Sequence, residues 1–232
     1  MSRAALVLRP APGDAATAGR LAAIGMTTIR QPLFAVRPVA WTPPGASGFD
    51  ALMLTSANAV RHAGPGLAGL RDLPVVAVGR ATAAAAAAVG FTVALTGCSD
   101  AAALAAAARA CNPTRLLHLA GRDHIAIPGV TSVAVYASDP LPVPAGAARS
   151  WEGQVALLHS ERAARRFAAL VDRDRANRGR IVLAAISPAV RDAAGTGWAV
   201  AFAADEPTDT ALVTLAARLI DPSARARDKP CR

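Results

Sequence analysis

Four short segments carry the residue types best suited to chemistry: Thr-Ser-Ala-Asn at 55–58, Gly-Arg-Ala-Thr at 79–82, His-Ser-Glu-Arg at 159–162 and Ile-Ser-Pro-Ala at 186–189. Each follows an apolar run and precedes a helix-favouring stretch, so each is expected to be a strand-to-helix turn. At such a turn the first helical amides lack carbonyl partners and the positive end of the helix dipole faces outward, a favourable place for a carboxylate. Ser56, Ala57, Asn58, Gly79, Thr82, Ser160, Arg162 and Ser187 are therefore expected to bind an anionic ligand. Pro188 removes one amide donor from the fourth turn. Ser56 and Ser160 read as helix caps rather than nucleophiles, since neither stands in a Gly-x-Ser-x-Gly elbow. Arg9 and Arg122 sit just after strands, where carboxylate binding and surface solvation both suit an arginine.

Other chemistries lack their signatures. The run VGRATAAAAAAVG supplies only Gly79 and Gly90, so there is no dinucleotide fingerprint, and there is no GxxxxGK[ST] phosphate loop. His62, His118, His124 and His159 show no ligand spacing, and Cys98, Cys111 and Cys231 form neither a CxxC pair nor an even set. No cofactor and no metal are expected. The formal charge is +9, yet only Lys229 among the 25 basic residues is a lysine, and aromatic residues are 4% of the chain. Dispersed arginines suit a small molecule with several carboxylates better than nucleic acid, whose single strands are bound by aromatic stacking. The dense run Arg162, Arg165, Arg166, Arg173, Arg175, Arg178 and Arg180 reads as a solvated helix face and loop. The most apolar run, Ala81 to Val89, is far short of the roughly 20 residues of a membrane span. MSRAALVLRP has no extended apolar region or small-residue cleavage site, and is expected to be the first strand of a cytoplasmic protein.

The elements that must position these turns alternate. LVLRP, ALMLTS, VVAVG, TRLLHLAG, SVAVYAS, VALLHS and IVLAAIS are short apolar runs separated mostly by alanine-rich stretches, the pattern of parallel sheets covered by helices. Aligning Ser56 with Ser160 brings FDALMLTSANAVRHA over EGQVALLHSERAARRF, and downstream Gly79 over Ser187. The chain thus reads as two similar α/β lobes. The second copy has no N-terminal partner of its own, so residues 1–36 are expected to join 137–222 as a discontinuous domain. Residues 37–136 then form an inserted domain and 223–232 a disordered tail. LFAVRPV and VAVYASDP would be a two-stranded linker, with the ligand cleft between the lobes.

In order and spacing, LRP, PLFAVRP, FDALMLTSANAV, LPVVAVGRATAAAAAAVGF, LLHLAGRD, VAVYAS, VALLHSERAARRF and DEPTDTALVTLAARLI resemble the uroporphyrinogen-III synthase family. The resemblance implies a cofactor-free lyase that cyclises hydroxymethylbilane, a polycarboxylate linear tetrapyrrole, with inversion of ring D through a spiro intermediate and loss of water. It also implies a monomer, with hand-over from the upstream bilane-forming deaminase. It matches Tyr136 to the family's tyrosine, a candidate proton donor to the departing hydroxide, and Thr82 to a family threonine. At Ala189 the chain departs from the pattern, since many relatives carry a threonine there. A cytoplasmic two-lobe binding or sensor protein and an inactive synthase relative are the alternatives.

Overall fold

The computed structural model describes residues 3–97, 101–110 and 115–220. The three cysteines and the tail expected at 223–232 lie outside the described residues. Strands and helices alternate as β1 (Ala5–Val7), α1 (Gly13–Ala23), β2 (Thr28–Arg30), β3 (Phe34–Pro38), β4 (Ala51–Leu54), α2 (Ala57–His62), β5 (Val75–Val78), α3 (Arg80–Ala88), β6 (Val93–Gly97), α4 (Ala101–Ala110), β7 (Leu116–Gly121), β8 (Val130–Pro140), β9 (Val155–Leu158), α5 (Glu161–Arg173), β10 (Val182–Ala185), α6 (Pro188–Ala193), β11 (Val200–Ala203) and α7 (Asp209–Ile220). The chain divides into two compact units, one of Met1–Ala35 with Pro140–Arg232 and one of Val36–Asp139. It leaves the first unit within β3 and re-enters it at the end of β8.

Each unit is built on a sheet whose strand order reverses once. The first has the order β11-β10-β9-β1-β2, with every pairing parallel. The second runs β8-β7-β4-β5-β6, again all parallel, with β3 added beside β8. The two orders coincide when β4, β5 and β6 are set on β9, β10 and β11, and β7 and β8 on β1 and β2. The units are one arrangement entered at different points of the chain.

The reason lies in the strand compositions. ALV, ALML, VALL and VLAA are buried at every position, which only a parallel sheet covered on both faces requires. Alternate residues then supply two cores. In the first unit Ala5, Val7, Val155, Leu157, Val182 and Ala184 meet Leu21, Leu212 and Ala216 of α1 and α7. Leu6, Ala156, Leu158, Leu183 and Ala185 meet Ala164, Phe167 and Val190 of α5 and α6 on the other face. In the second, Leu52, Leu54, Leu117 and Leu119 face Ala59 and Ala86 of α2 and α3, while Ala51, Met53 and Leu116 face Leu104, Ala105 and Ala108 of α4.

One polar residue enters this packing. His118 of β7 pairs in register with Met53 on one side and Ser132 on the other, and is 2% exposed. Its Nε2 lies 3.0 Å from Thr55 Oγ1 and its Nδ1 3.2 Å from Ser132 Oγ. A neutral imidazole meets both hydroxyls, accepting from one and donating to the other. Burial, helped by the nearby His124, lowers the His118 pKa to about 4. The unfolded chain therefore binds this proton between pH 6.5 and 4 while the folded chain does not, and stability falls as pH falls through that window, by about 3 kcal/mol from this group.

Two outcomes are expected. Denaturant midpoints of the wild type should drop between pH 7 and pH 4.5 more steeply than those of His118→Gln, which cannot titrate; equal slopes would remove His118 as the cause. Residues 36–139 expressed alone should melt cooperatively by circular dichroism. Residues 140–220 alone should not, because β9 loses its neighbour β1; a cooperative melt there would show that β1 and β2 are dispensable.

Candidate active site

Because both sheets are parallel, the residues that follow the strands gather at one end of each sheet. In the first unit these are Arg9 after β1, Ser160 and Arg162 after β9, and Ser187 after β10. In the second they are Ser56, Ala57 and Asn58 after β4, Gly79 and Thr82 after β5, and Arg122 after β7. The strand order reverses between β1 and β9 and between β7 and β4, the place where open parallel sheets bind ligands. Arg9 and Ser160 flank the first reversal, and Arg122 and Ser56 the second. The concavity bordered by Arg191, Asp192, Thr196 and Trp198 lies past the end of α6, away from the Ser187 turn, and contains none of the expected residues.

The serines are caps. Ser56 Oγ accepts from Asn58 N–H at 3.2 Å, Ser160 Oγ from Ala163 N–H at 3.2 Å and Ser187 Oγ from Val190 N–H at 3.4 Å. Each cap takes one of the amides expected to face a ligand, so Asn58 offers its side chain and not its N–H. That side chain in turn accepts from Arg61 Nη1 at 3.2 Å. The Gly79 turn differs. Gly79 stands at the N-cap of α3 with φ +74°, a left-handed conformation that a side chain would strain, and it provides no side-chain cap. Thr82, one turn into α3, is buried. Arg162 stacks over the Phe34 ring at 4.7 Å.

The two arginines expected to meet a ligand carboxylate already pair with carboxylates of the protein. Arg9 Nη1 lies 3.1 Å from Asp209 Oδ1, which also receives Thr17 Oγ1 at 2.7 Å and His159 Nε2 at 2.8 Å, while Arg20 Nη1 reaches Oδ2 at 2.7 Å. Burial works to raise the Asp209 pKa, but the hydrogen bonds from His159 and Thr17 and the Arg9 charge outweigh it and hold the group below the ordinary carboxylate range. Burial lowers His159, against its bond to Asp209, so near neutrality it is a neutral Nε2–H donor. Arg122 is more open. Its Nη2 meets Asp139 Oδ1 at 2.5 Å and its Nε meets Asp123 at 3.5 Å, and Asp139 also receives Arg37. These hydrogen bonds from Arg122 and Arg37 lower the Asp139 pKa. Asp209, Asp139, Thr17 and His159 were not singled out in the sequence, because Arg9 and Asp209 lie 200 positions apart and nothing local marks the pair.

Tyr136 is aimed by an irregularity in β8. The register with β7 slips between Ala120 and Gly121, so that Ala120 faces Ala134 while Gly121 faces Tyr136, leaving Val135 as the extra residue of a bulge. Val135 and Tyr136 consequently turn to the same core, where strict alternation would separate them. The Tyr136 ring lies directly over Gly121: a Cβ there would stand 2.9 Å from Cζ and 3.1 Å from the phenol oxygen. The ring is half-buried and its centroid is 6.4 Å from that of His62. Arg122 N–H donates to the Tyr136 carbonyl at 2.8 Å, which ties the tyrosine to the end of β7. Among the described residues no three His, Cys, Asp or Glu side chains gather as a metal-binding set, and no helix is long and apolar enough to cross a membrane.

No curated protein matches the chain. Its fold is similar to the crystal structure of uroporphyrinogen-III synthetase from Helicobacter pylori 26695, with 16% identity, 94% of this chain and 100% of that one covered, and a TM-score of 0.63. It is also similar to a mutant uroporphyrinogen III synthase from the extremely thermophilic bacterium Thermus thermophilus, with 15% identity, coverage of 94% and 99%, and a TM-score of 0.57. The family model described as uroporphyrinogen-III synthase HemD matches residues 15–214, which reach across both units, and the chain therefore belongs to the uroporphyrinogen-III synthase family.

Proposed function

We propose that this chain is a uroporphyrinogen-III synthase, a lyase that closes hydroxymethylbilane into uroporphyrinogen III with inversion of ring D and loss of water. The observation that carries this reading is the family match over residues 15–214, which takes in the reversal between β7 and β4, the Ser56, Gly79, Ser160 and Ser187 turns, and Tyr136. A cytoplasmic monomer that takes its substrate from the bilane-forming deaminase belongs to the same proposal.

The chemistry asks little of an enzyme in the way of nucleophiles. An electron-rich pyrrole expels its own hydroxide to give an azafulvenium cation, and the difficulty lies in directing attack to the substituted carbon of ring D. Holding the chain folded for that spiro closure is a proximity effect, and the binding groups must favour the charged intermediate over the extended substrate. The Ser56, Gly79, Ser160 and Ser187 turns, with Ala57, Asn58, Thr82, Arg9, Arg122 and Arg162, are the groups assigned to the substrate carboxylates. Gly79 leads into a helix start without a side-chain cap, so its turn has main-chain donors to give. Tyr136 is assigned the proton passed to the leaving hydroxide. Ala189 presents only a methyl at the second residue of α6, so no hydroxyl takes part there.

Purified protein is expected to convert hydroxymethylbilane mainly to uroporphyrinogen III without added metal or nucleotide. Chromatography of the oxidised products decides it: type I isomer alone would leave a binding protein or an inactive relative. Tyr136→Phe should lower kcat by about 10 to 100-fold, the low end of general-acid effects, and keep the type III product. Complete loss in a folded variant would make the phenol an obligatory acid and overturn a mechanism spread over many contacts.

A further inference from the structure

Arg9 is held in an unusual way for a residue meant to meet a ligand. Only Nη1 is spent on the protein, donating to Asp209 Oδ1 at 3.1 Å and to Thr17 Oγ1 at 3.3 Å. Thr17 is completely buried and itself donates to Asp209, so the anchor is rigid. Among the described residues Nε and Nη2 make no hydrogen bond, and the side chain is 31% exposed. On its other side the guanidinium rests against Gly13, the first residue of α1, where a Cβ would come within 2.6 Å of Cζ and 2.7 Å of Nη2. No side chain other than hydrogen fits there unless the guanidinium moves. Alanine is otherwise the better helix former, so the missing side chain has a reason beyond the helix itself.

We propose that Gly13 and Asp209 are positioning residues, which fix the Arg9 guanidinium by its Nη1 end and one face so that its unspent Nε and Nη2 donors take one carboxylate of the substrate. This rests on the synthase reading above and assigns part of its substrate site. Asp209 neutralises the buried end of the guanidinium and sets its direction. His159 shares Oδ1 with Arg9 and Arg20 holds Oδ2, so Asp209 is kept in place by groups other than Arg9, and a substrate carboxylate at Nε and Nη2 does not have to displace it. Gly13 keeps the rest of the group where two parallel charge-assisted hydrogen bonds reach one carboxylate.

Gly13→Ala separates positioning from a structural role. Alanine displaces the guanidinium from this face while Asp209 keeps its bonds from Thr17, His159 and Arg20. The variant is therefore expected to stay folded, melting close to the wild-type temperature, while its KM for hydroxymethylbilane rises about tenfold with kcat nearly unchanged. Asp209→Asn should raise KM in the same sense, with some loss of stability. A readout independent of turnover is the Arg9 Nε–H resonance in protein labelled with 15N-arginine, assigned with Arg9→Lys. Succinate should shift it saturably in the wild type and not in Gly13→Ala. An unchanged KM in a folded Gly13→Ala, or a wild-type resonance that succinate does not move, would overturn the proposal. Failure of the synthase reading looks different: the wild type then gives only the type I isomer, and the succinate titration alone decides the role of Gly13.

Discussion

A parallel strand buried on both faces has no side on which to keep a polar residue. In both units the central strands are in that position, and nearly everything else follows from it. Helices must cover each face, so each strand must return to its starting end through a crossover. Polar residues are thereby driven to the strand ends, and in a parallel sheet all the ends that lead into helices lie together. The candidate site is a by-product of this burial: Ser56, Gly79, Ser160 and Ser187 stand where β4, β5, β9 and β10 run out of apolar residues. His118 is the exception that shows the cost. It enters the core only with a hydroxyl at each nitrogen, and burial still suppresses its charge.

Polar groups at these ends serve the protein before any ligand. The serine oxygens satisfy amides of their own helices, and Arg9 and Arg122, which follow the equivalent strands β1 and β7, each pair with an internal carboxylate. The two pairs differ in kind. Asp209 gathers four donors and sits mostly out of water, whereas Asp139 bridges Arg37 and Arg122 at the surface, where salt and solvent weaken the interaction. The first is suited to holding a cation in a set place, the second to letting go.

Much of this was legible in the residues themselves. Runs such as ALML and VLAA announce doubly covered strands, and a serine between such a run and an amphipathic stretch such as ERAARRFAALV announces a cap. The likeness of the two halves was visible because β4 and β9 begin equivalent stretches of chain. What could not be read depends on distance or on a one-residue slip. The Arg9–Asp209 pair joins two ends of the first unit, and neither neighbourhood predicts the other. The Val135 bulge leaves no mark in VAVYAS, whose alternation would place Tyr136 away from the core it packs against. At three of the four turns one of the first helical amides, that of Asn58, Ala163 or Val190, is claimed by the same serine whose presence identified the turn.

The same strand order entered from two points gives the units different histories on the ribosome. The second unit is continuous, and within it β4 meets β5, and β5 meets β6, soon after each is made. In the first, β1 pairs with β2 at once, but its other neighbour is β9, with Ala5 opposite Val155. At typical synthesis rates the intervening stretch takes on the order of 10 s to emerge. Through that interval Leu6 and Leu8, later fully buried against β9 and α5, have no partner layer in their own unit. The nascent chain thus carries an apolar half-sheet ahead of the second unit while that unit completes itself, a natural target for a chaperone that shields apolar segments.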